Sequence, residues 1–183
     1  ANCVLLAERG IRLFGPAEGS QACGETGPGR MLEPAQLAEH AAQLFRAAML
    51  SGTHVLVSAG PTREAIDPVR YLSNRSSGKM GYAVAQAALE AGARVTLVSG
   101  PTALAAPERA EHVDVVTAQQ MYEAVLARAA HCDIFIAAAA VADYRVADEA
   151  PHKIKKTAER LDLQLVRNPD ILSGVAALPR RPF

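Results

Sequence analysis

Residues 53–101 read THVLVSAGPTREAIDPVRYLSNRSSGKMGYAVAQAALEAGARVTLVSGP. The stretch opens on a β-branched run that stops at Gly60 and closes on a second run, RVTLVSGP, that stops at Gly100. Short Val/Leu runs bounded by glycine are the pattern of buried strands. Between them KMGYAVAQAALEAGA has helical spacing with small residues on one face, and Gly92 is placed as its C-cap. The segment from Pro61 to Lys79 is polar and reads as a long loop. Working outward, HVDVVT is a short third strand. TAQQMYEAVLARAAH is a helix opened by Thr117, with Gln120 three residues on, a capping-box spacing. DIFIAAAAV is a fourth, buried strand running into a loop at 139–152. LDLQLV alternates, as a further strand does. Asn168-Pro169 is read as the cap of a last helix, NPDILSGVAAL, with proline at its first position.

Upstream, Leu37, Ala41, Leu44 and Ala48 recur at threes and fours after Pro34, in a helix closed by Gly52. The stretch 15–34, GPAEGSQACGETGPGRMLEP, holds five glycines and three prolines. It interrupts helix and strand alike and reads as a loop or flap. Strand, helix, strand, helix in this order predicts an α/β fold: a Rossmann-like parallel sheet with helices on both faces, preceded by a Gly/Pro-rich flap segment. Ligands on such sheets bind beyond the carboxyl ends of the strands. Three of those ends, SAGPTRE, VSGPT and AAAAVADYR, are therefore where chemistry is expected.

The composition narrows the classes. Of 183 residues half are apolar, and 19 Lys plus Arg balance 19 Asp plus Glu. A neutral chain lacks the positive field of a general nucleic-acid or anionic-membrane binder. No run approaches the roughly 18–20 apolar residues of a membrane span. The opening ANCVLLAERG lacks the pattern of a secretory signal, so a cytoplasmic protein is expected. Cys3, Cys23 and Cys132 form no CxxC pair and no ligand cluster, which suggests neither a disulfide framework nor a zinc site. The histidines (His40, His54, His112, His131 and His152) show no ligand spacing and read as surface or boundary residues.

Each strand end has a plain reading beside the functional one. Ser58-Ala59-Gly60 could cradle a phosphate on main-chain N–H groups, or be an ordinary turn; neither GxGxxG nor a Walker A motif is present. Asn74-Arg75-Ser76-Ser77-Gly78-Lys79 precedes a helix, so Ser76 or Ser77 can cap it and its N-terminus can face an anion. Asp67, Arg70 and Asn74 add polar groups there; the plain reading is a solvated loop. The alanines of AAAAVADYR let a ligand lie against the backbone, and Asp143 could take a ribose hydroxyl or a metal ion. Alternatively they are a close-packed strand and a surface acid. A lysine of Lys153-Ile154-Lys155-Lys156 could neutralise charge on a transferring phosphorus, or the cluster could be a solvated basic turn. Cys23, in a glycine-rich loop, could be an acid in a closing flap or an incidental thiol.

Taken in order, the residues from VLVSAGPTREAIDPVRYLSNRSSGKMG through AAAAVADYRVADEAPHKIKK to LVRNPDILSGVAAL closely resemble phosphopantothenoylcysteine synthetase. This is the ligase half of the bifunctional coenzyme A biosynthesis (Dfp flavoprotein) family of bacteria. The N-terminal piece resembles the end of that family's decarboxylase half. The resemblance divides the chain into 1–34, the decarboxylase tail and flap; 35–52, a linker helix; and 53–183, the ligase domain. It implies CTP-dependent ligation of 4′-phosphopantothenate with L-cysteine through an acyl-cytidylate, with Mg²⁺, in a homo-oligomer. FMN would belong to the decarboxylase core, whose histidine and PxMN motif are absent here.

Matched residue by residue, Lys153 falls on the catalytic lysine, and Asn74 on the residue that handles the pantothenate carboxylate. Arg70 falls in a closing flap, Ala139 and Ala140 on the alanine pair lining the site, and Asp143 on a nucleotide-contacting acid. Cys23 falls on the decarboxylase acid. Ser58 and Gly60 are expected near the phosphates from strand-end geometry, and the metal ligands are not assigned. Asn168 and Asp170 belong to a family motif in which Asn168 is read first as the helix cap. The family continues past RPF through another strand and a KKxKK segment. An internal fragment with an exposed sheet edge and low activity of its own is therefore expected. The alternatives are a nucleotide- or flavin-binding module without ligase chemistry, and an inactive domain that only dimerises.

Overall fold

A computed structural model describes residues 2–20, 26–45, 48–155 and 159–183, with side chains for all of these except 43–45. The chain divides into two compact units, Ala1–Ala47 and Ala48–Phe183.

The first unit has helix α1 (Asn2–Glu8), strands β1 (Ala17–Ser20) and β2 (Thr26–Arg30), and helix α2 (Pro34–Phe45). The Gly/Pro-rich segment expected as a loop contributes an antiparallel pair, with Gly19 opposite Gly27 and Ser20 opposite Thr26. Such pairing uses main-chain groups, so the lack of large side chains is no obstacle to it. Among the described residues of this unit none is buried. The helix expected over 35–52 does not reach Gly52: α2 is described over Pro34–Phe45, and residues 48–52 are not helical. The Leu50 N–H instead donates to the Ala91 carbonyl, and Thr53 N–H donates to Leu50 in a turn around Gly52, which has φ 81°.

The second unit contains β3 (His54–Ala59), β4 (Arg63–Asp67), β5 (Arg70–Ser73), α3 (Lys79–Glu90), β6 (Arg94–Ser99), β7 (Glu111–Asp114), α4 (Ala118–Ala129), β8 (Ile134–Ala137), β9 (Tyr144–Val146), β10 (Leu165–Arg167) and α5 (Ile171–Ala176). Four strands make the expected parallel sheet, in the order β7-β6-β3-β8. All six residues of β3 are buried, and the two-residue period of a strand sends them to opposite faces. Val55, Val57 and Ala59 pack with Val95, Leu97 and the α3 residues Ala85, Ala88 and Leu89. Leu56 and Val98 pack with Met121, Val125 and Ala129 of α4 and with Ile171 and Val175 of α5. Each such aliphatic side chain contributes about 1.5–3 kcal/mol when fully buried. The small face of α3 has a direct cause: a Cβ on Gly81 would stand 2.5 Å from the Ala59 Cβ. The C-cap of α3 is Ala91 rather than Gly92, which follows it at φ 92°, and Thr117 with Gln120 forms the reciprocal capping box on α4.

Several expectations need correction. The polar segment 61–79 is not all loop: β4 and β5 form an antiparallel hairpin. Its charges hid it, because Glu64 and Asp67 are buried with main-chain partners elsewhere in the fold. Neither Ser76 nor Ser77 caps α3, whose N-cap is Gly78 at φ 76°, although Ser76 Oγ accepts from the Gly78 N–H. Strand β8 is only half-buried, because it lies at the edge of the sheet. LDLQLV yields only β10, which pairs antiparallel with β9 outside the main sheet. Asp170, not Asn168, caps the last helix, accepting from Ser173 N–H at 2.9 Å. His54 is buried rather than at the surface. Its Nε2 lies 2.8 Å from Thr96 Oγ1, and Nδ1 lies 2.9 Å from Arg94 Nη2. It is 8% exposed, held in place by Thr96 and Arg94 of the neighbouring strand β6.

Candidate functional site

From β3 the sheet builds outward through β6 to β7, and β8 is then placed on the other side of β3. The carboxyl ends of β3 and β8 thus flank the point where the strand order reverses, the place where open parallel sheets hold ligands. A cleft of about 620 Å³ opens there, of the size that accepts a small molecule. Ser58 forms one wall; Ala137, Ala139 and the run Val141–Tyr144 form the second; Arg167–Leu172 form the third.

Main-chain bonds hold the second wall. Ala138 N–H donates to Ser58 and Ala140 N–H to Gly60, at 3.0 and 2.8 Å, so the chain keeps running beside β3 after β8 ends. Thr62 is fully buried, and its Oγ1 accepts from Ala142 N–H at 2.9 Å. Its carbonyl accepts from Ser73 Oγ, which ties β5 to the same wall. Thr62→Val should therefore cost about 1–3 kcal/mol, the penalty of a buried N–H left without an acceptor. Chemical denaturation checks this; the midpoint should fall with unchanged slope, and Thr62→Ser should restore most of it.

Asn168 braces the third wall. Its Nδ2 donates to the Ala142 carbonyl at 2.8 Å, its N–H donates to Asp143, and its Oδ1 accepts from Arg145. Asp170 lies beside it, and the Ser173 N–H and side chain hold its carboxyl below the ordinary carboxylate range. Sequence reading did not place Arg167, Asn168 or Asp170 in the cleft. The available signal was the polar Arg-Asn-Pro-Asp run after a strand, which helix-capping logic absorbed.

Of the expected site residues, Ser58, Ala139 and Asp143 line this cleft. The Asp143 side chain is exposed and makes no hydrogen bond to a described residue. Ala140 is one position from the lining, joined to Gly60. Gly60 itself has φ 72°, and a Cβ there would meet Gly100 O and Thr102 Cγ2 at 2.9 Å, so packing already requires the glycine. Asn74 reaches the rim, its Nδ2 donating to the Val141 carbonyl at 2.9 Å.

Arg70 and Lys153 form a second group: Arg70 opens β5, Lys153 lies in the segment 150–155 that is bonded to the β4–β5 hairpin through Ala150 and Ile154, and neither lines the cleft. Arg70 Nε donates to Asp67 Oδ2 at 3.0 Å, and Ile154 N–H donates to the same oxygen at 3.1 Å. Lys153, beside Ile154, is exposed and has no ion pair or hydrogen bond with a described residue. Strand β5 links the groups, since it runs from Arg70 to Ser73, next to Asn74. The Arg70 guanidinium, with three main-chain N–H groups, holds the Asp67 carboxyl far below the usual range despite its burial. The sign follows: what this ion pair contributes to stability is present above about pH 4 and is lost only as pH falls through the depressed value.

Cys23 and Lys156 lie outside the described residues. Among the described residues no three His, Cys, Asp or Glu side chains gather to hold a metal ion. Nor is any described helix long and apolar enough to cross a membrane.

Residues 50–182 match the family model of the DNA/pantothenate metabolism flavoprotein C-terminal domain, DFP. The chain belongs to the DFP family. The DFP domain thus coincides with the second structural unit. Over its whole length the chain is 56% identical to the coenzyme A biosynthesis bifunctional protein CoaBC of Vibrio parahaemolyticus and 52% identical to that of Escherichia coli. It covers 46% of each, so it spans about half the length of these curated relatives. The crystal structure of a CoaBC C-terminal domain superposes with TM-score 0.65 at 44% identity, over 74% of this chain and 64% of that one. The DNA/pantothenate metabolism flavoprotein of Streptococcus pneumoniae does so with TM-score 0.59 at 25% identity, over 66% of this chain and 62% of that one. The parallel sheet with its flanking helices is therefore the DFP fold.

Proposed function

We propose that this chain is the ligase portion of a coenzyme A biosynthesis protein, joining 4′-phosphopantothenate to L-cysteine at the expense of CTP. The observation that carries the reading is the cleft at the β3/β8 switch point, with Ser58, Ala139 and Asp143 in its lining and Asn74 bonded to its wall, in a chain of the DFP family.

The chemistry divides into two displacements. A carboxylate oxygen of 4′-phosphopantothenate attacks the α-phosphorus of CTP, the bond to the β-phosphate oxygen breaks, and pyrophosphate leaves. The cysteine amine then attacks the acyl carbon of the resulting acyl-cytidylate. The carbon–oxygen bond breaks, CMP leaves, and the amine proton passes to solvent. The first step makes a good leaving group from a poor one, which a direct attack by the amine lacks.

In this reading the cytidine ribose sits against Ala139 and Ala140 with Asp143 at its hydroxyls, and the phosphates extend toward Ser58 and Gly60. Asn74, held by Val141, faces the pantothenate carboxylate with its amide. Arg70 is assigned to the flap over the acid and Lys153 to the charge at the α-phosphorus, although neither lines the cleft. Two anionic substrates repel, so much of the rate comes from holding them in line and neutralising them. Magnesium is read as arriving on the nucleotide phosphates, its usual mode; the described carboxylates do not form a cage for it. The reading includes a homo-oligomer, and FMN and Cys23 belong to a decarboxylase step outside this unit.

The test is pyrophosphate release from CTP and 4′-phosphopantothenate with cysteine withheld, in the intact protein. A stoichiometric burst is expected; nucleotide binding with no pyrophosphate would leave a binding module instead. Asn74→Asp should release pyrophosphate and then stall, since a carboxylate replaces the amide beside both the Val141 carbonyl and the phosphate of the acyl-cytidylate. Normal amide yield with accumulated CMP would count against that placement.

A further inference from the structure

The carboxylate of Asp67 is more fully engaged than a turn requires. It is 2% exposed and ends β4. Oδ1 accepts from Val69 and Arg70 N–H, each at 2.9 Å, which suffices to shape the two-residue connection to β5. Oδ2 accepts from Arg70 Nε and Nη2 and, 87 residues away in sequence, from the Ile154 N–H at 3.1 Å. Arg70 Nη2 in turn donates to the Ile154 carbonyl at 3.1 Å. Both main-chain groups of Ile154 are thereby held by one ion pair, whose carboxylate is buried and whose guanidinium is part-exposed. Four residues earlier, Ala150 N–H donates to Ile66, so the segment is laid along the hairpin at two points. Lys153 lies between these points, exposed, with no ion pair or hydrogen bond among the described residues.

We propose that Asp67 is a positioning residue for the ligation. Together with Arg70 it fixes the main chain at Ile154, so that Lys153 is presented in one place to the phosphorus under attack. This rests on the role given to Lys153 above. A long flexible amine contributes most when its stem starts from a fixed point, and a misplacement of about 1 Å can cost about a hundredfold in rate. The link to Ile154 is the part of the Asp67 environment that the hairpin turn alone does not explain.

The test is a double-mutant cycle on pyrophosphate release in the intact protein, combined with hydrogen exchange. Asp67→Asn should lower kcat about ten- to a hundredfold with KM for CTP changed by less than about threefold, and should cost nothing further in a Lys153→Gln background. Losses that multiply would overturn the proposal, because Asp67 would then act independently of the lysine. In the unmodified protein the Ile154 amide should exchange at least tenfold more slowly than that of Lys155. In Asp67→Asn it should lose this protection while Leu56 and Val57 in β3 keep theirs. An unprotected Ile154 amide overturns the anchor even if Asp67→Asn does not fold, and Arg70→Lys, which retains the charge but loses the fork, then serves as the second variant in the same cycle. If Lys153→Gln leaves turnover unchanged, the catalytic role of the lysine falls, and the exchange data alone decide whether Asp67 holds the segment.

Discussion

Lys153→Gln should slow pyrophosphate release from CTP and 4′-phosphopantothenate by about 10²–10³-fold, the usual cost of removing one group that stabilises charge at a reacting centre. The amide of glutamine keeps part of the reach and loses the charge. The fold should not notice: the side chain is exposed and touches no described partner, and such surface changes stay within about 0.5 kcal/mol. Single-turnover measurement with saturating CTP separates chemistry from binding, and the chemical step should carry most of the loss. Turnover equal to that of the unmodified protein would falsify the assignment. An equal loss in affinity for CTP with kcat preserved would make the lysine a binding contact only.

Gly100→Ala should be the most damaging small substitution in the sheet. A Cβ built at Gly100 would stand 1.8 Å from the Pro61 carbonyl oxygen and 2.7 Å from its carbon. Both are backbone atoms, and neither can rotate aside. Overpacking commonly costs about 1–3 kcal/mol and sometimes more; here about 3 kcal/mol or more is expected, a fall in the thermal midpoint of roughly 6–12 °C for a domain of this size. The contact matters to the cleft as well, because Pro61 bridges to Ala140 next to the lining. Nucleotide affinity should therefore weaken along with stability. Gly174→Ala is the control: its Cβ would meet the half-buried Tyr122 ring at 2.6 Å, and a side chain can shift where a carbonyl cannot. A Gly100→Ala protein with an unchanged midpoint would mean that the β6 end and Pro61 are not packed as described.

The layout of the sheet was legible because its strands carry their own signal. His54–Ala59 and Arg94–Ser99 are buried along nearly their whole lengths, and their Val/Leu-rich runs bounded by glycine say so without tertiary context. Thr117 and Gln120 announced the start of α4 for the same reason, since both partners of the cap lie within three residues. What was illegible depended on distant partners. Glu64 looks like solvent-facing charge until its Oε1 is seen to accept from Ala118 N–H, 54 residues on. Asp67 has, besides its local partners Val69 and Arg70, one 87 residues on. Asn168 and Asp170 both suit a helix start by residue type; Asn168 is drawn away by the Ala142 carbonyl, leaving the cap to Asp170. At the site, Ser58, Ala139 and Asp143 were legible as strand-end residues of small or acidic type, and the wall from Arg167 to Leu172 was not, because nothing local brings it back to β8.

The placement of β3 between β6 and β8 has a consequence for biogenesis. The most fully buried strand is made before both of its neighbours, and the second of them, beginning at Ile134, follows about 75 residues later. At about 5–20 residues per second of translation, the nascent chain carries an uncovered Val-Leu-Val flank for roughly 4–15 seconds. That interval leaves residues 55–57, which are fully packed in the finished sheet, open to intermolecular pairing.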